Sequence, residues 1–303
     1  MTTSRRSFIK NSAVLLAGTS LLSNAAFAAA KPSEIIGLQL YSVRDDMKKD
    51  PVGTLTQLAK FGYKHVEHAN YVNHKFYGYT ATEFKKVLDD LGLKMPAGHT
   101  VLGENHWDSA KKDFTDDWKK LVDDAAFMGQ KYVISPWMDP KLHSTVDALL
   151  KWLDVFDKCG DLCKSKGMKF GYHNHWDEFT HELNGKKVFD IMMEHMDTKK
   201  VVMQLDIGNM YIGGAKALDV IGKYPGKFEM IHVKDEVASN NAEKWESAIL
   251  GKGIIPVKEV LDICRKTGGT SVYIIEQEAY QGKAPMDCMK ENFEIMKKWG
   301  YKS

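Results

Sequence analysis

Four apolar segments in the second half of the chain each run into side chains that bind metals or carry protons. They read Phe170-Gly171-Tyr172-His173-Asn174-His175, Val201-Val202-Met203-Gln204-Leu205-Asp206, Glu229-Met230-Ile231-His232-Val233-Lys234 and Val272-Tyr273-Ile274-Ile275-Glu276-Gln277-Glu278. Imidazole and carboxylate donors without thiolate suit Mn²⁺, Co²⁺, Zn²⁺ or Fe²⁺ and disfavour an all-oxygen calcium or magnesium site. A carboxylate such as Asp206 or Glu276 behind an apolar strand is almost never buried unpaired, so it needs an ion or a basic partner. By period-two alternation His232 shares a strand face with Met230 and Lys234, and His173 shares one with His175. The candidate ligands are Asp206, His232 and Glu276, with a fourth from His173, His175 or Glu178, of which His173 is preferred. One divalent ion, Mn²⁺ foremost, could polarise the carbonyl and hydroxyl of a sugar together, an effect worth several kcal/mol. Glu276, His173 or Lys234 could then move the proton, a step typically worth about 10²- to 10⁴-fold in rate.

These residues need elements that bring their strand ends together. Strand patterns fall at 35–41, 64–69, 94–100, 132–137, 169–175, 201–209, 229–234 and 271–278. Helical periodicity fills 51–61, 81–91, 118–128, 145–166, 188–196, 217–224, 256–266 and 286–299. Glycines at 62, 92, 129, 167 and 268 punctuate the helix ends, as C-caps do. Eight strand–helix units without a change of composition predict one (β/α)8 TIM barrel over residues 29–303, a fold that needs about 250 residues. In that fold active sites lie where the strands end. A doubly wound open sheet would place a glycine-rich phosphate loop after the first strand, and Gln39-Leu40-Tyr41-Ser42-Val43-Arg44 has no glycine.

The first 28 residues predict an export signal of the twin-arginine type. Ser4-Arg5-Arg6-Ser7-Phe8-Ile9-Lys10 precedes a short apolar stretch and then Ala26-Phe27-Ala28, a signal read by the twin-arginine export machinery. The apolar run is too short to stay in a bilayer, and no lipobox cysteine follows, so a periplasmic or otherwise exported, unanchored protein is expected. The full chain has 303 residues, 44% hydrophobic and 27% charged, with a formal charge of +2. Loss of the three leader cations would bring that charge to −1. Neither value gives an electrostatic case for nucleic acid, which argues against a DNA-repair nuclease on the same scaffold. The four cysteines show no metal-binding spacing and read as small apolar residues.

Taken with this layout, Gly37-Leu38-Gln39-Leu40-Tyr41-Ser42, Tyr172-His173-Asn174-His175, Gln204-Leu205-Asp206-Ile207-Gly208, Ile231-His232-Val233-Lys234-Asp235 and Ile275-Glu276 resemble the xylose isomerase-like superfamily. The resemblance is narrower to its sugar phosphate isomerase/epimerase branch, and it covers nearly all of the chain beyond the leader. It implies a metal at the barrel mouth, held by Glu, Asp, His and Glu, that assists proton shuttling on a keto-sugar. Asp206, His232 and Glu276 match that ligand set. Asn209 stands where some relatives have a substrate-binding histidine, and Lys234 near a basic residue. The family's first ligand is a glutamate on the fifth strand that doubles as one of two opposed bases. Here His173 fills that place, so a two-glutamate epimerase mechanism does not transfer directly.

The leading expectation is a metal-dependent isomerase or epimerase that enolises a free keto-sugar. The alternative is a lyase or hydratase acting on a keto-sugar or 3-keto-glycoside. A non-catalytic sugar-binding protein is a further class, and a homo-oligomer is compatible with any of them. Glu67 could hold a substrate hydroxyl or orient a histidine, and His99 is a candidate substrate contact. Trp107, Trp137 and Trp176 follow strands three, four and five, where an indole face could stack on a sugar ring. Lys252, in a glycine-flanked loop, reads as a solvated lysine.

Overall fold

A computed structural model describes residues 34–301 apart from Glu243 and Gly268. The expected export signal lies outside the described residues. Eight parallel strands close into a barrel in chain order: β1 (Ile35–Gln39), β2 (His65–His68), β3 (Lys94–His99), β4 (Tyr132–Ser135), β5 (Lys169–His173), β6 (Val201–Asp206), β7 (Met230–Val233) and β8 (Val272–Ile275). β8 pairs with β1, with Leu38 opposite Ile275, so the sheet has no free edge. Outside it lie α1 (Pro51–Phe61), α2 (Ala81–Asp90), α3 (Asp116–Phe127), α4 (Val146–Ser165), α5 (Val188–His195), α6 (Ala217–Lys223), α7 (Val257–Thr267) and α8 (Pro285–Lys298).

Local chemistry accounts for the helix boundaries. Asp50 caps α1 by accepting from the Gly53 amide, Pro51 fills the first turn, and Gly62 ends the helix at φ 107°. Thr80 and Glu83 form a reciprocal capping box at the start of α2. Thr145 caps α4 through the Ala148 amide.

Inside the barrel, alternation stacks two layers. The lower layer is apolar, built from Ile35, Ala97, Tyr132, Ile134, Val202, Met230, Val272 and Ile274. Gly171 belongs to this layer because a side chain there would meet Ile134 Cδ1 at 2.5 Å and Val202 Cγ2 at 2.7 Å. Two residues further along the same inward faces stand Gln39, Glu67, His99, His173, Gln204, His232 and Glu276. The polar residues therefore all emerge at the C-terminal end of the strands.

Several strands end two or three residues short of the sequence expectation, the fifth at His173 rather than 175 and the eighth at Ile275 rather than 278 among them, and two further differences stand out. The sixth strand stops at Asp206, because the Asp206 carboxylate accepts from the Asn209 amide and starts a short helix, Ile207–Ile212. The loop expected after β7 contains an antiparallel hairpin, Asp235–Ala238 with Trp245–Ala248. Asp235 anchors it by accepting from the amides of Gly251, Gly253 and Ile255. The four cysteines are buried and unpaired. No described helix is long and apolar enough to cross a membrane.

Candidate metal centre

Strand register sets the site. Gln204 lies beside His173 in the β5–β6 pair, and Asp206 lies beside His232 in the β6–β7 pair. His173, Asp206, His232 and Glu276 are all buried, and each offers one ligand atom within 4.8 Å of the others. His173 Nε2 is 3.9 Å and His232 Nδ1 3.8 Å from Asp206 Oδ2, while His232 Nδ1 is 3.1 Å from Glu276 Oε2.

The layer behind these atoms orients them. Gln204 Nε2 donates to Glu67 Oε2 at 2.8 Å, which leaves Gln204 Oε1 as an acceptor. That oxygen lies 3.0 Å from His173 Nδ1 and 2.7 Å from His99 Nε2, so both nitrogens carry protons. His173 therefore turns an unprotonated Nε2 toward Asp206. Glu67 Oε1 accepts from Gln39 Nε2 at 2.8 Å and from His232 Nε2 at 2.6 Å, which directs His232 Nδ1 at the two carboxylates. Carboxylate and amide partners behind ligating imidazoles are what metal sites use to set tautomer and basicity.

The donor set fits a divalent ion on an observation of its own. Asp206 Oδ2 is fully buried and has no hydrogen-bond partner among the described residues. An orphaned carboxylate oxygen facing two imidazole nitrogens and a second carboxylate needs a cation or a proton between them. The local electrostatics point the same way. Burial pushes Asp206 up to about 7 against the pull of Lys234. Burial alone would lower His232, but Glu67 and Glu276 outweigh it and push the ring up to about 10. Burial and the neighbouring imidazoles hold His173 well below the usual histidine range. Glu276 stays well below the carboxylate range, because Lys234 and His232 outweigh its burial.

Lys234 completes the cluster. Its ammonium is 3.8 Å from Asp206 Oδ2 and 3.4 Å from Glu276 Oε2, and it pairs closely with Glu278. Gly208 gives the lysine stem room, since a Cβ there would meet Lys234 Cγ at 2.7 Å. Asn209 bridges the two sides, with its Oδ1 3.3 Å from Lys234 Nζ and its Nδ2 3.5 Å from His173 Nε2.

A cavity of about 430 Å³ opens above the cluster. His99, His173, His175, Asn209, Glu276 and Trp137 all line it. Other candidates lie elsewhere. Glu67 is fully buried beneath the imidazoles, so of its two expected roles the structure gives it the orientation of histidines. Glu178 is turned away by the short helix Asp177–Thr180, and its oxygens are taken up by the Tyr172 hydroxyl and the His175 amide. It therefore supplies neither a ligand nor a cavity wall. Trp107 packs edge-on against Phe114 in a small hairpin, and Trp176 is partly exposed outside the cavity lining. Lys252 pairs with Glu291 at the surface.

Gln39 and Gln204, which hold the histidines, carry no assigned role in the sequence reading. Their signal was there: an amide on the inward face of an apolar strand, two residues beyond Val202 for Gln204 and four beyond Ile35 for Gln39. Tyr71, on the cavity wall, had no such signal.

Comparison with known proteins agrees with this architecture. Residues 55–299 match the xylose isomerase-like TIM barrel family. An inosose dehydratase of Geobacillus thermodenitrificans (strain NG80-2) is 28% identical over 157 residues, which are 48% of this chain and 52% of that protein. The chain thus spans about half the length of this curated relative. A sugar phosphate isomerase/epimerase of Parabacteroides distasonis ATCC 8503 superposes with a TM-score of 0.74 at 22% identity, covering 90% of this chain and 96% of that one. The IOLI protein, solved with a binding zinc atom, gives a TM-score of 0.68 at 15% identity over 89% and 99% of the two chains. At these identities the two structural likenesses concern the fold. The closed eight-stranded barrel, the polar cluster at its C-terminal mouth and the match over most of its length lead to one conclusion: this chain belongs to the xylose isomerase-like TIM barrel family.

Proposed function

We propose that this protein is a metal-dependent carbon–oxygen lyase that removes a proton beside the carbonyl of a non-phosphorylated polyhydroxy ketone and expels water or an alcohol from the β-carbon. The observation that carries this reading is the orphaned Asp206 Oδ2 among His173, His232 and Glu276, directly beneath an open cavity. His173, Asp206, His232 and Glu276 would hold one divalent ion, with Mn²⁺ the first choice. Such an ion stabilises negative charge on a carbonyl oxygen as the neighbouring carbon loses its proton.

The protein's own groups divide the remaining work. Glu276 is held ionised by Lys234 and His232 and reaches the cavity, which suits it to accept the α-proton. Lys234 stays protonated because its surrounding carboxylates outweigh its burial. It lies behind Glu276 and Glu278 rather than on the cavity wall, so the proton that Glu276 accepts is the one it returns to the departing oxygen. Gln204 and Glu67 keep the imidazoles from turning. His99 and Asn209 offer hydrogen bonds to substrate hydroxyls, and Trp137 offers an apolar face. No arginine or lysine lines the cavity among the described residues, which favours a neutral substrate over a phosphorylated one. An exported location, as expected from residues 1–28, fits the same substrate class.

Elimination is placed ahead of isomerisation for two reasons. The curated relatives similar in sequence are named inosose dehydratases. In addition, the fifth-strand position holds His173, whose Nδ1 proton is committed to Gln204, where an epimerase would need a second carboxylate base. Isomerisation or epimerisation is the second reading, favoured by His175. That ring lines the cavity and has a buried Nδ1 without a hydrogen-bond partner, so it could serve as another base.

The test is product analysis. Metal-loaded protein is incubated with keto-cyclitols, free keto-sugars and 3-keto-glycosides, and the products are weighed by mass spectrometry. Loss of water or release of the aglycone supports the lyase. A product of unchanged mass supports the second reading. Absence of turnover with Mn²⁺, Co²⁺, Zn²⁺ and Fe²⁺ alike overturns both.

A further inference from the structure

The mouth cavity has a neighbour. A second cavity of about 360 Å³ lies against it, and Tyr71 and Thr100 line both. Each volume falls within the roughly 300–1,000 Å³ typical of small-molecule sites. The shared wall is held in place. The Tyr71 hydroxyl donates to Asp124 Oδ2 at 2.6 Å, Asp124 is itself buried and paired with Lys120, and the Tyr71 ring packs 4.8 Å from Phe76.

Beyond Tyr71 the chemistry is that of hydroxyl recognition. His106 Nδ1 accepts the Gly103 amide at 3.1 Å, so its Nε2 carries the ring proton and can donate. Burial lowers the His106 pKa, which keeps that ring neutral. His74 Nε2 lies 3.2 Å from Asp117 Oδ1, and both side chains are open to solvent. No arginine or lysine lines this cavity among the described residues. Donors, a carboxylate acceptor and a fixed aromatic ring together suit a neutral, hydroxylated ring.

The backbone points the same way. The hairpin of Tyr71–Val72 with Lys75–Phe76 turns on Asn73 at φ 51° and His74 at φ 59°. Such two-residue turns ordinarily use Asn-Gly, and a histidine is held at positive φ at a cost in backbone strain. That cost places an imidazole beside Asp117 at the cavity edge.

We propose that this second cavity is a binding subsite for a hydroxylated ring joined to the group held above the ligand cluster, so that the natural ligand is a two-ring glycoside. The proposal rests on reading the mouth cavity as a sugar site. None of the subsite residues belongs to the ligand cluster, so the two readings can be separated.

The experiment is calorimetric titration of metal-loaded full-length protein with cellobiose, maltose, lactose and sucrose, each beside its component monosaccharides. In the natural sequence at least one disaccharide should bind about tenfold more tightly than either component, a difference of about 1.4 kcal/mol. In a double variant, His74→Gly with Asp117→Ala, that advantage should fall below about threefold. Bound metal and monosaccharide affinity should not change, and the melting temperature should not fall. Both positions are exposed, and glycine relieves the turn, so the variant should fold. An independent variant, His106→Ala, should reduce the same advantage. The proposal is overturned if no disaccharide binds more tightly than its components, or if the advantage survives these substitutions. Turnover is read separately: protein that binds two-ring ligands by these criteria but converts no keto-sugar sinks the lyase reading and leaves the subsite standing.

Discussion

The barrel interior holds two layers that are equally buried and chemically opposite. Ile134, Val202, Met230, Val272 and Ile274 fill the lower one, while Gln39, Glu67, Gln204 and His232, each fully buried, fill the upper. The lower layer asks only for volume, so neighbouring residues can relax around a change. The upper layer must satisfy every donor and acceptor, because an unpaired polar group there costs free energy that no packing returns. It leaves Asp206 Oδ2 without a partner between two imidazoles and a second carboxylate, and His175 Nδ1 without one at the cavity above, and these exceptions mark the candidate site. Stability and chemistry are thus assigned to successive residues along the same strands.

The sharpest way to break this comparison is at the orphaned oxygen. Asp206→Ala should abolish stoichiometric metal binding and lower turnover by about 10³-fold, the equivalent of several kcal/mol of lost charge stabilisation. Its far-UV circular dichroism should remain that of the natural sequence. Metal analysis after gel filtration, set beside steady-state rates, checks this. Full metal content in the variant would remove Asp206 from the ligand set.

In the lower layer the effects should reverse. Ile274→Ala should cost about 2–5 kcal/mol of folding stability, as truncations in a packed core do. The fraction that remains folded should keep its metal and its turnover per site. Urea melts combined with active-site titration distinguish this from a loss of function.

Glu178 tests a buried carboxylate that lies outside both layers. Burial pushes its pKa up to about 7 from an ordinary 4.5, so the folded state favours the protonated form. Its contribution is fully present below about pH 4.5 and is lost as pH rises toward about 7, a change of at most about 3 kcal/mol. Glu178→Gln should flatten the stability profile over that window. Denaturant midpoints at several pH values read the slope, and an unchanged slope would refute the assignment.

The smallest effect is expected one step behind the ligands. Glu67→Gln keeps the shape but weakens the hold on His232 Nε2, and it should reduce metal affinity by about 10- to 100-fold. Competition against a chelator measures this. An unchanged affinity would show that packing alone orients the imidazoles.

Much of this was legible in the chain. Period-two alternation and glycine punctuation located all eight strands and the helix over 51–61, because each of these signals is local. Asp206, His232 and Glu276 were legible for a related reason: charge at the end of an apolar strand has few structural explanations. The offsets came where a side chain chose between local partners. Asp206 capped the next helix and ended its strand early, and Glu178 turned inward to Tyr172.

What the sequence determined by itself was therefore the order of elements, the end of the barrel where chemistry belongs, and the kinds of donor atoms gathered there. Barrel closure decided the rest. It placed Glu67 from β2 beneath His232 from β7, and Gln204 from β6 between His99 and His173. It also set Tyr71 as the common wall of two cavities. These relations join residues far apart in the chain through shear and register, which local periodicity does not encode.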